Sequence, residues 1–198
     1  MNNGDKRPRI GVAMTGSFCT FQKVFDALEK LRGLPAELVP IMSFNAYSLN
    51  TRFFTAQQAR DRLEGICGRE CLHTIEQVEP IGPKKLLDLV LVAPCTGNTL
   101  AKLAHGIADT PVTMACKSQL RNERPVLIAL STNDGLAASA ANIGTLMRVK
   151  HVFFAPFGQD DCVQKSTSLV FDENRLVDAV RMALKERQAQ PLIGELSD

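Results

Sequence analysis

Asp88-Leu-Val-Leu-Val-Ala93-Pro94-Cys95-Thr96-Gly97-Asn98-Thr99-Leu-Ala-Lys102-Leu-Ala-His105-Gly106-Ile-Ala-Asp109 decides how this chain folds. Residues 89–93 are β-rich and carry no charge, as a parallel strand buried on both faces requires. Small polar residues then interrupt the run, and a helical pattern starts near Asn98 and ends at Gly106. A buried strand leading through a short polar turn into a helix is the unit of an α/β domain. The same signature recurs outward from it. Arg9–Met14, Leu38–Met42, Val126–Leu130 and Val152–Ala155 read as strands, with Pro40 marking a bulge or an edge position in the second. From Thr20 to Arg32, Phe21, Val24, Phe25, Leu28 and Leu31 recur at helical spacing, and Gly33 and Pro35 stop that helix. Further helices are expected at Ala56–Ile66, Lys84–Leu87, Thr113–Leu120 and Ala137–Met147. A last helix is expected from Asp172, with Asp172 and Glu173 in its first turn, a core face of Leu176, Val180 and Leu184, and Lys185 and Arg187 near its end. Alternation of this kind specifies a doubly wound parallel sheet in a three-layer αβα arrangement. One domain over residues 1–190, followed by a C-terminal tail at 191–198, accounts for the chain.

Composition narrows the class of function. Lys and Arg number 23 against 21 Asp and Glu, a net charge of +2 without a clustered basic face, which argues against nucleic acid or a membrane surface as partner. No apolar run approaches the ~18 residues of a membrane span, and Met1–Pro8 is polar rather than a secretory leader. The six cysteines are irregularly spaced in a chain long enough to build its own core, so free thiols in a reducing cytoplasm are expected. Cys67, Cys71 and His73 have partial metal-ligand spacing, but no second pair completes a four-ligand site, and no metal is expected. Ten Phe, one Tyr (Tyr47) and no Trp make up the aromatic inventory.

Ligands of such sheets bind beyond the carboxyl ends of the strands. Thr15-Gly16-Ser17 follows the first strand and precedes a helix, so it offers a tight turn, hydroxyls and unpaired amides to an anion. It is neither a Walker loop nor G-x-G-x-x-G, and taken alone it is equally a plain strand-to-helix turn. Ser43-Phe44-Asn45-Ala46, Thr96-Gly97-Asn98-Thr99 and Ser131-Thr132-Asn133-Asp134-Gly135 repeat the theme after later strands. Their convergence on one sheet edge points to a phosphorylated ligand held by many hydrogen bonds. Cys95, inside the motif, is either a reactive thiol or a small buried one. His105 is expected on a helix surface and His151 has no evident partner. Gly158–Ser168 reads as a mobile flap over the site.

Thr15-Gly16-Ser17 together with Ala93-Pro94-x-Thr96-x-Asn98-Thr99-x-Ala101-Lys102-x-Ala104-x-Gly106-Ile107-x-Asp109 resembles the flavin-containing cysteine-decarboxylase-type flavoproteins. The resemblance covers most of the chain from Arg9 to about Pro156. It implies a Rossmann-like flavoprotein domain, FMN as cofactor, and a homo-oligomer, often built of trimers, with flavin near subunit interfaces. By position it implies that Thr15, Gly16, Ser17 and Ser43 hold the phosphate side. Thr96, Gly97, Asn98, Thr99 and Asn133 would lie along the flavin, and Tyr47 is a candidate ring contact.

The departures are as informative. Decarboxylases of this family carry a catalytic His eight residues before the acidic residue that opens the third strand, where this chain has Pro80. Of their Pro-x-Met-Asn only Asn133 survives, and Phe157-Gly158-Gln159-Asp160-Asp161-Cys162 stands in place of their Ala-Cys-Gly lid. The motif together with Leu120-Arg-Asn-x-Arg124-Pro and Ala155-Pro-Phe-Gly-Gln-Asp160 is similar instead to flavoprotein components of a two-subunit oxidoreductase from sporulating bacteria. That resemblance implies a cytoplasmic, mother-cell protein, a partner subunit carrying NADP, and a small dicarboxylate substrate. Arg is the expected clamp for a carboxylate, so Lys117, Arg121 and Arg124 are candidate substrate residues, or else solvated surface charges. A flavin-dependent decarboxylase or prenyltransferase, and a non-catalytic flavin-binding support protein, are the alternatives.

Overall fold

In this computed structural model, which describes residues 7–194, the five expected strands form at the expected places. They are β1 (Arg9–Met14), β2 (Glu37–Met42), β3 (Leu89–Cys95), β4 (Val126–Thr132) and β5 (Val152–Phe154). All five run parallel in the order β2-β1-β3-β4-β5. β3 is central and buried at every position, as its uncharged sequence demanded. Pro40 sits on the edge strand β2, in unbroken register with Val12. Its carbonyl points outward and accepts from the Leu72 amide, so the N–H that proline lacks would face away from β1.

Side chains alternate across the sheet and build two cores. Ile10, Val12, Leu89, Leu91, Leu127 and Ala129 face α1 (Phe21–Leu31), α3 (Ala56–Cys67) and α8 (Leu176–Ala183), with the short α2 (Phe44–Ser48) at the margin. Ala13, Val90, Val92, Val126, Ile128 and Leu130 face the opposite layer. That layer contains α4 (Ile75–Val78), α5 (Gly97–Ala104), α6 (Pro111–Arg121) and α7 (Ala140–Met147). Helix starts are set chemically: Thr55 and Gln58 form a capping box at α3, which Gly68 ends at φ 69°.

Three expectations are corrected. Lys84–Leu87 is a turn rather than a helix, closed by Lys84 N–H to the Pro80 carbonyl and Leu86 N–H to the Ile81 carbonyl, with Lys85 at φ 48°. The helix precedes it as α4, capped by Thr74 and Gln77. The last helix begins at Leu176, because the Asp172 carboxylate accepts the Asn174 amide at 2.9 Å and its carbonyl accepts the Arg175 amide at 3.2 Å, making a turn first. Lys185 and Arg187 therefore lie beyond the helix end, and Asp178 and Arg181 occupy the dipole positions.

The third correction bears on the site. Gly158–Ser168 is not a loose flap but belongs to a hairpin of β6 (Phe157–Asp161) and β7 (Lys165–Phe171). β7 pairs antiparallel with β4 at Ser131–Val170 and Thr132–Leu169. It continues the edge of β4 where β5, paired only at Val126–Ile128, leaves off. The sheet among the described residues is thus mixed, with seven strands. Of the expected tail, Leu192 accepts the Phe157 amide and Ile193 bridges to Phe157, while 195–198, like the polar 1–6, lie outside the described residues.

Candidate functional site

The strand order reverses between β1 and β3, with β2 on one side and β4 on the other, so the loops after these strands open a crevice at their carboxyl edge. Thr15 closes its floor. Its buried hydroxyl donates to the Pro94 carbonyl at 2.6 Å and accepts the Thr96 amide at 3.0 Å, tying the end of β1 to the end of β3. Thr96 caps α5, its hydroxyl accepting from the Thr99 amide at 3.2 Å. Gly97 follows where a Cβ would lie 2.7 Å from the hydroxyls of Ser139 and Thr132 and 2.9 Å from the Asp134 carboxylate, so only glycine fits.

The crevice has two connected parts. The larger, about 530 Å³, lies between Gly16–Thr20, Thr96–Asn98, Ser131–Asp134 and the β6–β7 hairpin. The smaller, about 350 Å³, shares Gly16, Phe18, Thr96 and Asn98 and extends to Ser43, Asn45 and Lys102. Ser17, Thr20 and Ser131 form a hydroxyl cluster on the wall, with Ser131 2.8 Å from Ser17 and 3.1 Å from Thr20. Thr20 spends its proton on the Ser17 carbonyl, so with all bonds made Ser131 donates to Thr20 and Ser17 donates to Ser131. Ser17 then turns lone pairs, not a proton, toward the cleft. The side-chain amides of Asn45, Asn98 and Asn133 line the crevice with no hydrogen bond to any described residue.

Charge in the crevice is sparse and ordered. The Thr132 and Ser139 hydroxyls donate to the Asp134 carboxylate, which holds it below its ordinary value. On the hairpin, Lys165 Nζ donates to Asp160 Oδ2 at 2.8 Å, and this bond raises the Lys165 ammonium above its ordinary value. In the smaller part Lys102 donates to both oxygens of Asp109, each at 2.8 Å. Cys95 is fully buried beneath the motif, and burial pushes its thiol up. Burial likewise pushes Cys116 behind it up to about 12.

A family model described as Flavoprotein matches residues 1–184. The chain belongs to the flavoprotein family. Across its length it is similar to the B subunit of dipicolinate synthase from Bacillus subtilis (strain 168), 42% identical over 190 residues, which are 96% of this chain and 95% of that one. The crystal structure of the corresponding dipicolinate synthase component from Bacillus halodurans C superposes with a TM-score of 0.87 at 35% identity, covering 96% of this chain and 97% of that one. The FMN-dependent cysteine decarboxylase SpaF shares the fold, with a TM-score of 0.64 at 22% identity over 89% of this chain and 97% of that one.

In this flavoprotein, Gly16, Ser17, Thr96, Gly97, Asn98 and Asn133 come together around the larger cleft, and Ser43 and Thr99 around the smaller. Thr15 lies beneath them, its hydroxyl engaged within the protein. The expected carboxylate clamp is not brought there. Arg124 hydrogen-bonds the Leu87 carbonyl and pairs with Asp88 at 3.3 Å, at the amino ends of β3 and β4. Arg121 lies against Gly82 at that same opposite edge, and Lys117 is exposed on the outside of α6. The reason is geometric: α6 runs back from the site, so its last turn and the residues just before β4 reach the far edge.

Tyr47 is also displaced from the cleft lining. It stacks on His73 at 3.7 Å and 2°, with the Arg60 guanidinium 4.6 Å from its ring centroid. Phe18, Phe44 and Phe53 supply the aromatic walls instead. His105 caps α5 with its ring nitrogen on the Ala101 carbonyl, and His151 has Glu186 at 3.8 Å. Asp160 and Lys165 lie in the segment expected over the site but, like Phe18, Thr20 and Phe53, were not singled out as lining residues. The signal for Asp160 and Lys165 was the apolar run Leu169-Val-Phe171 after a polar turn, which marks the buried end of a strand on the site's edge. No group of His, Cys, Asp and Glu among the described residues is placed to hold a metal, and no described helix is long and apolar enough to cross a membrane.

Proposed function

We propose that this chain binds FMN in the crevice and acts as the flavoprotein half of a two-subunit dipicolinate synthase. The partner would be the A subunit of dipicolinate synthase, carrying NADP, and the reaction would convert the product of dihydrodipicolinate synthase into dipicolinate. The observation that carries this reading is the full-length similarity to the B subunit of dipicolinate synthase, at both sequence and fold level. The crevice fits a flavin nucleotide on its own chemistry. Three unspent amides (Asn45, Asn98, Asn133) offer both donors and acceptors to a ring edge and a polyol chain.

Thr96, Gly97, Asn98, Thr99 and Asn133 would lie along the ring. Gly16, Ser17 and Ser43 would face the phosphate side, with the Gly16 backbone amide as donor, since the Ser17 and Ser43 amides are bonded to the Thr15 and Met14 carbonyls. Thr15 is a positioning residue that fixes Thr96. Aromatising a dihydropyridine dicarboxylate removes a hydride and a proton, and bound FMN supplies a hydride acceptor, as does nicotinamide on the partner. Phe18 and Phe53 line the cleft and would flank the ring. The cell setting would be the mother-cell cytoplasm, and self-assembly, trimer-based as in the family resemblance, would complete the open side of the cleft.

The test is direct. The purified chain should be yellow, release fluorescent flavin on heating, and form dipicolinate when mixed with its NADP-carrying partner. A colourless chain that cannot be reconstituted with FMN sinks the flavin premise. Turnover surviving substitution of Asn98 and Thr99 in an intact complex would reduce the chain to a supporting role.

A further inference from the structure

We infer that Lys165, on the β6–β7 hairpin, is the residue that holds a carboxylate of the substrate in the larger cleft. This rests on the reading of the substrate as a pyridine dicarboxylate, and it assigns the anion site that Lys117, Arg121 and Arg124 do not form.

Among the described residues lining that cleft, Lys165 is the one cationic side chain, set against the carboxylates of Asp134 and Asp160. A dianion entering such a cleft meets repulsion unless that ammonium receives it. Asp134 is turned away from this role, since the hydroxyls of Thr132 and Ser139 already hold its charge inside its own loop. Asp160 engages one N–H of Lys165. An ammonium has three donors, so two remain for a ligand. Both partners of the pair are solvent-accessible, with side-chain exposures of 58% and 33%, and an ion pair of that kind is weak enough to share its lysine with an arriving carboxylate.

The strand that carries Lys165 at its start is joined to the cleft wall. β7 is hydrogen-bonded to β4 at Ser131 and Thr132, two residues of the cleft wall. Leu169 packs against Gly135, where a Cβ would come within 2.6 Å of its side chain. Lys102, in the adjoining recess, is taken up by both oxygens of Asp109 and is the poorer candidate.

The experiment titrates the FMN-loaded chain with pyridine-2,6-dicarboxylate, and with the neutral pyridine-2,6-dicarboxamide as comparison, by calorimetry. Lys165→Met should weaken the dicarboxylate about tenfold or more, as loss of a charge-assisted contact does. Lys165→Arg should restore most of it, Lys165→Glu should abolish it, and none of the three should change the affinity for the diamide. Thermal melts identify any variant that has lost its fold, and the remaining substitutions then carry the test. Wild-type affinity in Lys165→Met overturns the assignment while leaving FMN binding and dipicolinate formation intact. Should the wild-type chain neither bind the dicarboxylate nor support its formation with the NADP-carrying partner, the functional reading falls, and the assignment with it.

Discussion

At the scale of single residues, the site is built from short side chains that bond to one another as much as toward a ligand. Gly97 is the sharpest case, because the space a Cβ would need is filled by the Ser139 and Thr132 hydroxyls and the Asp134 carboxylate. Gly97→Ala should therefore cost about 1–3 kcal/mol by overpacking, read by chemical denaturation, and should loosen FMN. Unchanged stability would mean that the loop gives way freely. Thr15→Val removes a buried hydroxyl that both donates and accepts. The orphaned Thr96 amide makes a loss of about 1–3 kcal/mol the expected result. Asp134 predicts a pH dependence. Its carboxyl titrates below the ordinary 3.8 in the folded chain, so it stabilises the fold above that pH and loses this contribution as pH falls through its folded value. The stability gap between wild type and Asp134→Asn should hold steady at neutral pH and close below 3.8. A gap that widens in acid would reverse the assigned cause. These loops were legible in the sequence because four turns rich in Thr, Ser, Asn and Gly each follow a strand, although any one of them alone reads equally as a plain turn. The basic trio lies away from the crevice because nearness in sequence to β4 says nothing about which end of the sheet a side chain reaches.

At the scale of elements, legibility followed burial. β1, β3 and β4 are shielded on both faces, so their sequences had to be continuous apolar runs and could be found as such. The hairpin escaped because its outer half, Gln159–Asp161 and Lys165–Thr167, is exposed or half-buried and reads as a polar loop. Only Leu169, Val170 and Phe171, which are buried, keep the apolar signal. The short α2 and α4 lack the length to show a period and are fixed by caps, Ser43 and Thr74. The hairpin is attached to the parallel sheet by a short antiparallel register and by Leu169 against Gly135. Leu169→Ala should cost about 2–5 kcal/mol. That loss should fall on the hairpin first, with amide exchange in Phe157–Phe171 rising well before exchange in β1 and β3. Uniform loss of protection across the sheet would show instead that hairpin and core unfold as one unit.

At the scale of the whole molecule, the sheet separates the crevice edge from an opposite edge where Arg124 pairs with Asp88. The odd thiol inventory reports that division. Cys19 lines the cleft and is exposed, and Cys162 is exposed between β6 and β7. Cys71, Cys95 and Cys116 are buried in the cores, and Cys67 is half-buried, with Cys67, Cys71 and Cys116 pushed by burial to about 12. Thiol reagents attack the thiolate, so burial protects twice, by blocking access and by withholding the reactive form. An aromatic disulfide at pH 8 should therefore titrate Cys19 and Cys162 quickly in the native chain, and all six cysteines only after unfolding. If the crevice is the flavin site, FMN should slow Cys19 while Cys162 continues to react at its own rate. Peptide mapping of the labelled chain distinguishes the two. Early labelling of Cys95 would contradict the closed packing under Thr96 on which the site depends, and equal rates at Cys19 with and without FMN would place the flavin elsewhere.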